Sequence, residues 1–374
     1  MSRRRLLILF AGAMAALALL VSPAGAVSPG AHQPSLQFIG QAIVPTGTTF
    51  AGTTIGGLSS ITYNPSRNVY YTLSDDQSQI NPARFYTVGI DVGPSFDASD
   101  VHFDAVTTLQ QPGGGPYPLG GLDPEGLVLT KDRELILTSE GNTNTLLAPF
   151  VRRYDLVGDY LADLPVPGYY LPTADHSSGI RFNLAFESAG VPPNGRFFFT
   201  ATENALFQDG PAATVATGSP SRILRYNLQT GRLDREYLYE TDPIFQPPVP
   251  PTNFAVNGIV ELLPFNNELM LSMERSFSVG VPGTGNEIKL YSVALPGATN
   301  VEGLSSLAGR LGSIRPAQKT LLLDLGSLGI PLDNVEGMTW GPKPPDGRQS
   351  LVMVSDNNFA ASQFTQFLLF AVSP

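Results

Sequence analysis

The stretch Gly120 to Gly141, "GGLDPEGLVLTKDRELILTSEG", reads as a short apolar strand, a polar turn and a second apolar strand. Glu125 opens the first strand and Glu140 closes the second. The midpoint of these two glutamates falls between Asp132 and Arg133, inside the turn. Because an antiparallel hairpin folds back on itself, residues equidistant from its turn lie side by side. Two carboxylates therefore meet at the open end of this hairpin.

The same plan recurs along the chain in "GLSSITYNPSRNVYYTLSDD" (57–76), "FNLAFESAGVPPNGRFFFTATEN" (182–204), "AVNGIVELLPFNNELMLSMERS" (255–276) and "LDNVEGMTWGPKPPDGRQSLVMVSDNN" (332–358). Each copy has a small or acidic start, an apolar strand, a turn rich in Pro, Asn, Asp or Gly, a very apolar strand, then Ser or Thr near an acid. The midpoints of Ser59 and Asp75, Glu187 and Glu203, Asn257 and Glu274, and Glu336 and Asp356 all fall in the turns. Less regular strand pairs follow the first four hairpins, the second of them within "FVRRYDLVGDYLADLPV". After the fifth only "FTQFLLFAV" (364–372) remains, and "LQFIGQAIV" (36–44) supplies its missing partner.

A four-stranded unit repeating about every 60 to 80 residues, closed by strands from both chain ends, predicts an all-β fold, a β-propeller. Five blades are identifiable, and a sixth has room only in 77–121 or 286–325. An open β-sandwich is the alternative. The segment 296–316 reads as an inserted loop with a short helix. Trp340 and the run Phe197 to Phe199 read as core between blades.

The chain begins with three arginines, an apolar run from Leu6 to Val21 and a small-residue "AGA" ending at Ala26. That pattern predicts a secretory signal over 1–26, a single mature propeller domain over 27–374, and a secreted or periplasmic location with no membrane attachment after cleavage. No cysteine occurs, which excludes disulfides and thiolate metal sites. Without residues 1–26 the chain carries 19 basic and 32 acidic residues, a net charge of −13. So acidic a protein, with four lysines and no basic run, repels nucleic acid and favours cations. A monomer acting on a small molecule is the simplest expectation.

First strands line the channel of a propeller, so the polar ends of the hairpins crowd one mouth. Ser59, Glu125, Glu187, Asn257 and Glu336 come from first strands. Asp75, Glu140, Glu203, Glu274 and Asp356 come from second strands. Clustered carboxylates repel one another unless protons or a cation neutralise them. Carboxylate and amide oxygens suit a hard ion, Ca2+ before Mg2+ or Mn2+. Glu125, Glu187, Asn257 and Glu336 are the expected metal ligands; glycine after three of them lets the backbone approach closely. His32, His102 and His176 fall in a tail, an outer strand and a loop, outside this set.

The elements "LDPEGLVL…ELILTSEG", "RFFFTATENAL", "NGIVEL" and "NVEGMTW…LVMVSDNNF" resemble the phytase-like domain family, described as having esterase-like activity of phytase, over roughly 55 to 372. The resemblance implies a propeller related to calcium-dependent phytases, which hydrolyse phosphate esters at a carboxylate-rich mouth. The "EG" and "NG" pairs are also similar to the metal-binding segments of gluconolactonase and paraoxonase-like propellers, which hydrolyse lactones and aryl esters. The implied activity is metal-assisted hydrolysis of a phosphate ester or another ester, with Glu140 or Glu203 as base and Arg275 clamping an anionic group. The alternative is a non-catalytic propeller that binds a ligand or partner and uses calcium for structure.

Overall fold

Strands buried on both faces give near-continuous apolar runs rather than alternation. The second strands Val69–Ser74, Leu135–Ser139, Phe197–Ala201, Leu269–Ser278 and Gln349–Asp356 show this. The computed structural model of the chain describes residues 34–344 and 346–373; the expected signal segment and His32 lie outside the described residues. It is an all-β propeller of five blades.

Blade 1 is Leu58–Asn64, Val69–Ser74, Arg84–Ile90 and Val101–Thr108. Blade 2 is Pro124–Leu129, Leu135–Ser139, Phe150–Tyr154 and Tyr160–Leu164. Blade 3 has Phe197–Ala201, Pro220–Asn227 and Arg232–Glu240. Its innermost strand is reduced to single bridges at Phe186 and Gly190. Blade 4 is Ala255–Pro264, Leu269–Ser278, Asn286–Ala294 and Gln318–Asp324. Blade 5 is Asn334–Trp340, Gln349–Asp356 and Thr365–Ser373, with Ser35–Val44 paired to the last of these as its outermost strand. Both chain ends thus meet in one sheet, as the missing partner of "FTQFLLFAV" requires. Segments 77–121 and 286–325 supply outer strands of blades 1 and 4, so no sixth blade forms among the described residues.

Five apolar clusters fill the five seams between neighbouring blades, and together they close the ring. Strand alternation splits each blade between two seams. Phe198 packs toward blade 2 with Val128 and Ile136, whereas Phe197 and Phe199 pack toward blade 4 with Ile259 and Leu262. Trp340 packs against Phe265, 5.0 Å between ring centroids, in the seam of blades 4 and 5. Burying one such aromatic is worth about 1.5–3 kcal/mol, so the seams carry the stability that disulfides cannot supply here.

The insertion at 296–316 has only a single 3-10 turn, Leu311–Ser313. It runs along the outer edge of blade 3, where Val301 N–H donates to Glu236 O (2.9 Å) and Ala317 N–H to Leu238 O (2.8 Å). That edge would otherwise expose unpaired backbone.

Candidate functional site

Each first strand contains an extra residue at the same depth. The ladder runs Leu58 to Ser74 and then Ser60 to Leu73, Ile259 to Glu274 and then Glu261 to Met273, Val335 to Ser355 and then Gly337 to Val354. In blade 2 Pro124 faces Ser139 and Leu127 faces Leu137; in blade 3 Phe186 faces Thr202 and Gly190 faces Phe199. Such a bulge re-aims side chains locally. It falls at Ser59, Glu125, Val260 and Glu336, and Glu187 begins the corresponding offset in blade 3. Three of the expected first-strand ligands therefore share one structural position.

Stepping one residue toward the mouth identifies the second-strand members. Asp75 N–H donates to Gly57 O (2.7 Å), Glu140 N–H to Asp123 O (3.0 Å) and Glu203 N–H to Ala185 O (2.6 Å); Arg275 pairs with Gly258 and Asp356 with Asn334. The position thus holds Asp75, Glu140, Glu203, Arg275 and Asp356. In blade 4 the equivalent of the acids is Arg275, and Glu274 corresponds to Ser74, Ser139, Thr202 and Ser355. Midpoint matching had put Glu274 in the ring. Instead its carboxylate accepts from Tyr239 Oη (2.7 Å), Asp242 N–H (2.9 Å), Asn257 Nδ2 (2.9 Å) and Lys319.

Asn257 likewise sits off the glutamate register, opposite Ser276. Its Nδ2 is engaged by Asp242 O and Glu274, while its Oδ1 is buried without a partner. Asp123, two residues before Glu125, joins the ring from outside the expected set; Gln77 Nε2 donates to it at 2.6 Å. The acid in "LDPEG" was the sequence signal for it.

Burial pushes the carboxyls of Asp75, Glu125, Glu140 and Glu187 well up, and neighbouring carboxylates push them further. For the same primary reason Asp123 rises to about 6, Glu203 to about 7 and Asp356 to about 8. Burial also raises Glu336, against the opposing effect of Arg275. Asp123 meets Glu125, and Glu140 meets Glu187, carboxyl to carboxyl. Such pairs require a shared proton or a cation. Asp123, Glu125 and Glu140 each offer an oxygen within 4.8 Å of the others, as do Glu140, Glu187 and Glu203.

Only one basic side chain enters this ring among the described residues. Arg275 Nη2 lies 2.8 Å from Glu336 Oε1 and 3.8 Å from Glu203 Oε1. Burial disfavours its charge, but Glu336, Glu203 and Glu187 reverse that and hold it protonated. Arg275 Nε, Glu140 Oε2 and Glu203 Oε1 are buried without hydrogen-bond partners. The other oxygen of Glu140 accepts the Ala185 N–H. Orphaned oxygens within an all-oxygen donor set fit a hard divalent cation. His102 lies on an outer strand, and His176 is an exposed loop residue beside Phe207; neither belongs to the ring. A separate cleft of about 280 Å³, lined by Gln37, Val92, Asp346, Arg348 and Phe370, contains no ring residue.

A family model described as "Phytase-like: Esterase-like activity of phytase" matches residues 53–359. No curated protein matches the sequence. Among solved structures, a Dos1 propeller is similar at 7% identity, covering 84% of this chain and 67% of that one, with a TM-score of 0.36. Kuenenia stuttgartiensis hydrazine synthase aligns at 10% identity over 83% and 81% of the two chains, with a TM-score of 0.33. The tail fiber of Staphylococcus aureus phage P68 aligns at 10% identity over 90% and 52%, with a TM-score of 0.41. Among the described residues, no helix is long and apolar enough to cross a membrane.

Proposed function

The chain belongs to the phytase-like family, and from that premise we propose that it is a secreted, calcium-dependent hydrolase of phosphate or other esters, working at the carboxylate ring. The carrying observation is the ring itself: eight acids with raised proton affinity face one arginine, and two of them keep an orphaned buried oxygen. Glu125, Glu187, Glu140 and Asp123 would hold the cation, with the free Oδ1 of Asn257 and the Arg275-bound Glu336 at the periphery. When bound, calcium supplies charge neutralisation and polarises an ester oxygen.

Burial raises the proton affinity of Glu203 to about 7, which suits it to the role of general base at neutral pH. Arg275 keeps one buried N–H for an anionic or carbonyl oxygen of the substrate while Glu336 fixes its guanidinium. A heavily anionic substrate fits poorly with one shared arginine and a net charge of −10 for the whole chain. Exposed Leu171 and Phe182 lie in the segment that leads from blade 2 into blade 3, and Val249 and Phe254 in the one that leads from blade 3 into blade 4; they favour an ester with an apolar part.

The burial of Glu140 and Glu203, each 1% exposed, favours a second reading in which calcium is structural and the propeller is not catalytic. Hydrolysis of a chromogenic phosphate and a chromogenic acetate, with calcium or with chelator, separates the two. The hydrolase reading expects calcium-dependent turnover of at least one substrate, reduced at least a hundredfold in Glu125→Ala. No metal-dependent turnover, alongside a chelator-induced fall in melting temperature, overturns it in favour of the structural role.

A further inference from the structure

Just below the ring, first strands carry a small residue in four blades: Ser60, Gly126, Ser188 and Gly337. Blade 4 has Glu261 there, a lone acid in the apolar run "GIVELLP". It is 1% exposed and has no basic partner among the described residues. Oε1 accepts the N–H of Ala189 from blade 3 at 3.0 Å and that of Leu262 at 2.9 Å. The N–H of Met338 in blade 5 and the side chain of Ser60 in blade 1 also lie close to the carboxylate. One side chain of blade 4 therefore hydrogen-bonds across to blade 3 and faces polar groups of two further blades.

Two of these residues are close to the ring acids in sequence. Ala189 follows Glu187 by two positions, and Met338 follows Glu336 by two. Blade 3 has no regular first strand, and Ala189 lies between its two bridged positions, Phe186 and Gly190. Between those bridges the segment is held by Ser188 Oγ, which accepts the Ala201 N–H at 2.9 Å, and by Glu261, which alone binds the Ala189 N–H. The glycines at two of the other four positions sit where neighbouring first strands approach closely. A Cβ on Gly126 would come within 2.9 Å of Ala189 Cβ, and one on Gly337 within 2.9 Å of Ser60 Cα.

We propose that Glu261 is a positioning residue, an axial pin that holds the Glu187 and Glu336 segments in the geometry of the ring. It does not touch substrate or cation. The proposal rests on the functional reading above only for its calcium consequence; the pin itself is read from backbone order. The test is amide hydrogen exchange of the full chain combined with calcium titration, for wild type, Glu261→Leu and Glu261→Gln.

The leucine variant removes both acceptors, so exchange at Ala189 and Met338 is expected to accelerate at least tenfold, while amides in the outer strand Val101–Thr108 keep their rates. Calcium affinity is expected to fall at least tenfold. Glutamine retains one carbonyl acceptor, so Ala189 should stay slow, Met338 should loosen, and calcium affinity should fall by about threefold.

Unchanged exchange at both amides overturns the proposal, as does unchanged calcium affinity in a leucine variant with loosened amides. If the leucine variant fails to fold, the glutamine pattern decides: loosening at Met338 alone supports the pin, and no local change overturns it. If both variants unfold globally, Glu261 is a general stabiliser and the positioning role falls. If wild type binds no calcium, the functional reading falls, and the exchange measurements still decide the pin.

Discussion

Blade 2 and blade 4 share a hairpin plan and differ at the axis. Blade 2 presents Asp123, Glu125 and Glu140, with Gly126 below them. Blade 4 presents Gly258, Val260 and Arg275, with Glu261 below. The acid that blade 2 places at the mouth has been exchanged in blade 4 for a cation at the mouth and an acid beneath it. Like charges crowded in a low-dielectric space raise one another's proton affinity, so a ring of uniformly acidic blades would hold protons rather than charge at neutral pH. Blade 4 gives the ring one fixed positive charge, and the acids nearest it feel the difference. Arg275 opposes the rise in Glu336, Glu203 and Asp356 and is itself held protonated in part by Glu187, whereas burial and other carboxylates push Glu125 up. The ring is thereby polarised into an Arg275 side and a cation-demanding side.

Making blade 4 resemble blade 2 is the severest way to break this contrast. Arg275→Glu leaves Glu336 and Glu203 without their cation and adds a further carboxylate. Removing one partner of a buried pair typically costs about 3–5 kcal/mol. The variant is expected to be unfolded or deeply destabilised at pH 7.5 in chelator and to recover most of its melting temperature in millimolar calcium. Arg275→Met, neutral and similar in length, should lose less. Equal melting temperatures for wild type and Arg275→Glu in chelator would mean that the arginine does not balance the ring.

Titration probes the same contrast with no substitution. A carboxyl whose folded value lies above its unfolded value binds its proton more tightly when folded. Its contribution is fully present below the unfolded value and is lost as pH rises through the folded one. With Asp123 at about 6, Glu203 at about 7 and Asp356 at about 8, the window runs from about pH 4 to about pH 8. In chelator the protein should therefore be more stable at pH 5 than at pH 8, by about 1.4 kcal/mol for each tenfold change in proton affinity that is realised. Calcium, competing with those protons, should flatten or invert the trend. Denaturant unfolding at the two pH values, with and without calcium, checks it; stability rising with pH in chelator would show that the ring acids are ionised without a cation.

Much of this was legible in the residues, and the failures have a physical pattern. The blades could be read because second strands buried on both faces are continuously apolar and because turn residues sit midway between them. The clustering of Glu125, Glu140, Glu187, Glu203 and Glu336 followed from that folding-back. Residue-level pairing did not, because a bulge adds one residue that side-chain composition does not display. Glu140 is consequently opposite Asp123 and not Glu125, and the "EG" and "NG" resemblance drew Asn257 into a position the ladder gives to Val260. The four-fold recurrence of Ser or Thr followed by an acid, at Ser74-Asp75, Ser139-Glu140, Thr202-Glu203 and Ser355-Asp356, was the better guide. Aligned on it, "ER" in blade 4 puts Arg275 in the acid's place. Glu261 had its own signal, a single acid inside an apolar strand, which marks a buried group with a dedicated set of donors.

The distinction between Glu274 and Glu140 supplies the mildest test and isolates register from charge. Both are buried glutamates in the mouth half of a second hairpin segment, Glu140 just after Leu135–Ser139 and Glu274 within Leu269–Ser278, and sequence symmetry equates them. Glu274 is surrounded by donors from Tyr239, Asp242, Asn257 and Lys319, so its charge is already balanced away from the axis. Glu274→Gln keeps one acceptor oxygen and should cost about 1–2 kcal/mol through weakened hydrogen bonds to charged and phenolic partners. It should leave calcium affinity unchanged. Glu140→Gln is expected to behave in the opposite sense: it relieves repulsion and raises stability in chelator, yet lowers calcium affinity at least tenfold, because it removes the charge of a carboxylate proposed to hold the cation through its orphaned Oε2. Paired titrations of the two variants are decisive, since a loss of calcium binding in Glu274→Gln equal to that in Glu140→Gln would restore the simple symmetry and dissolve the one-residue offset that puts Arg275 in the ring.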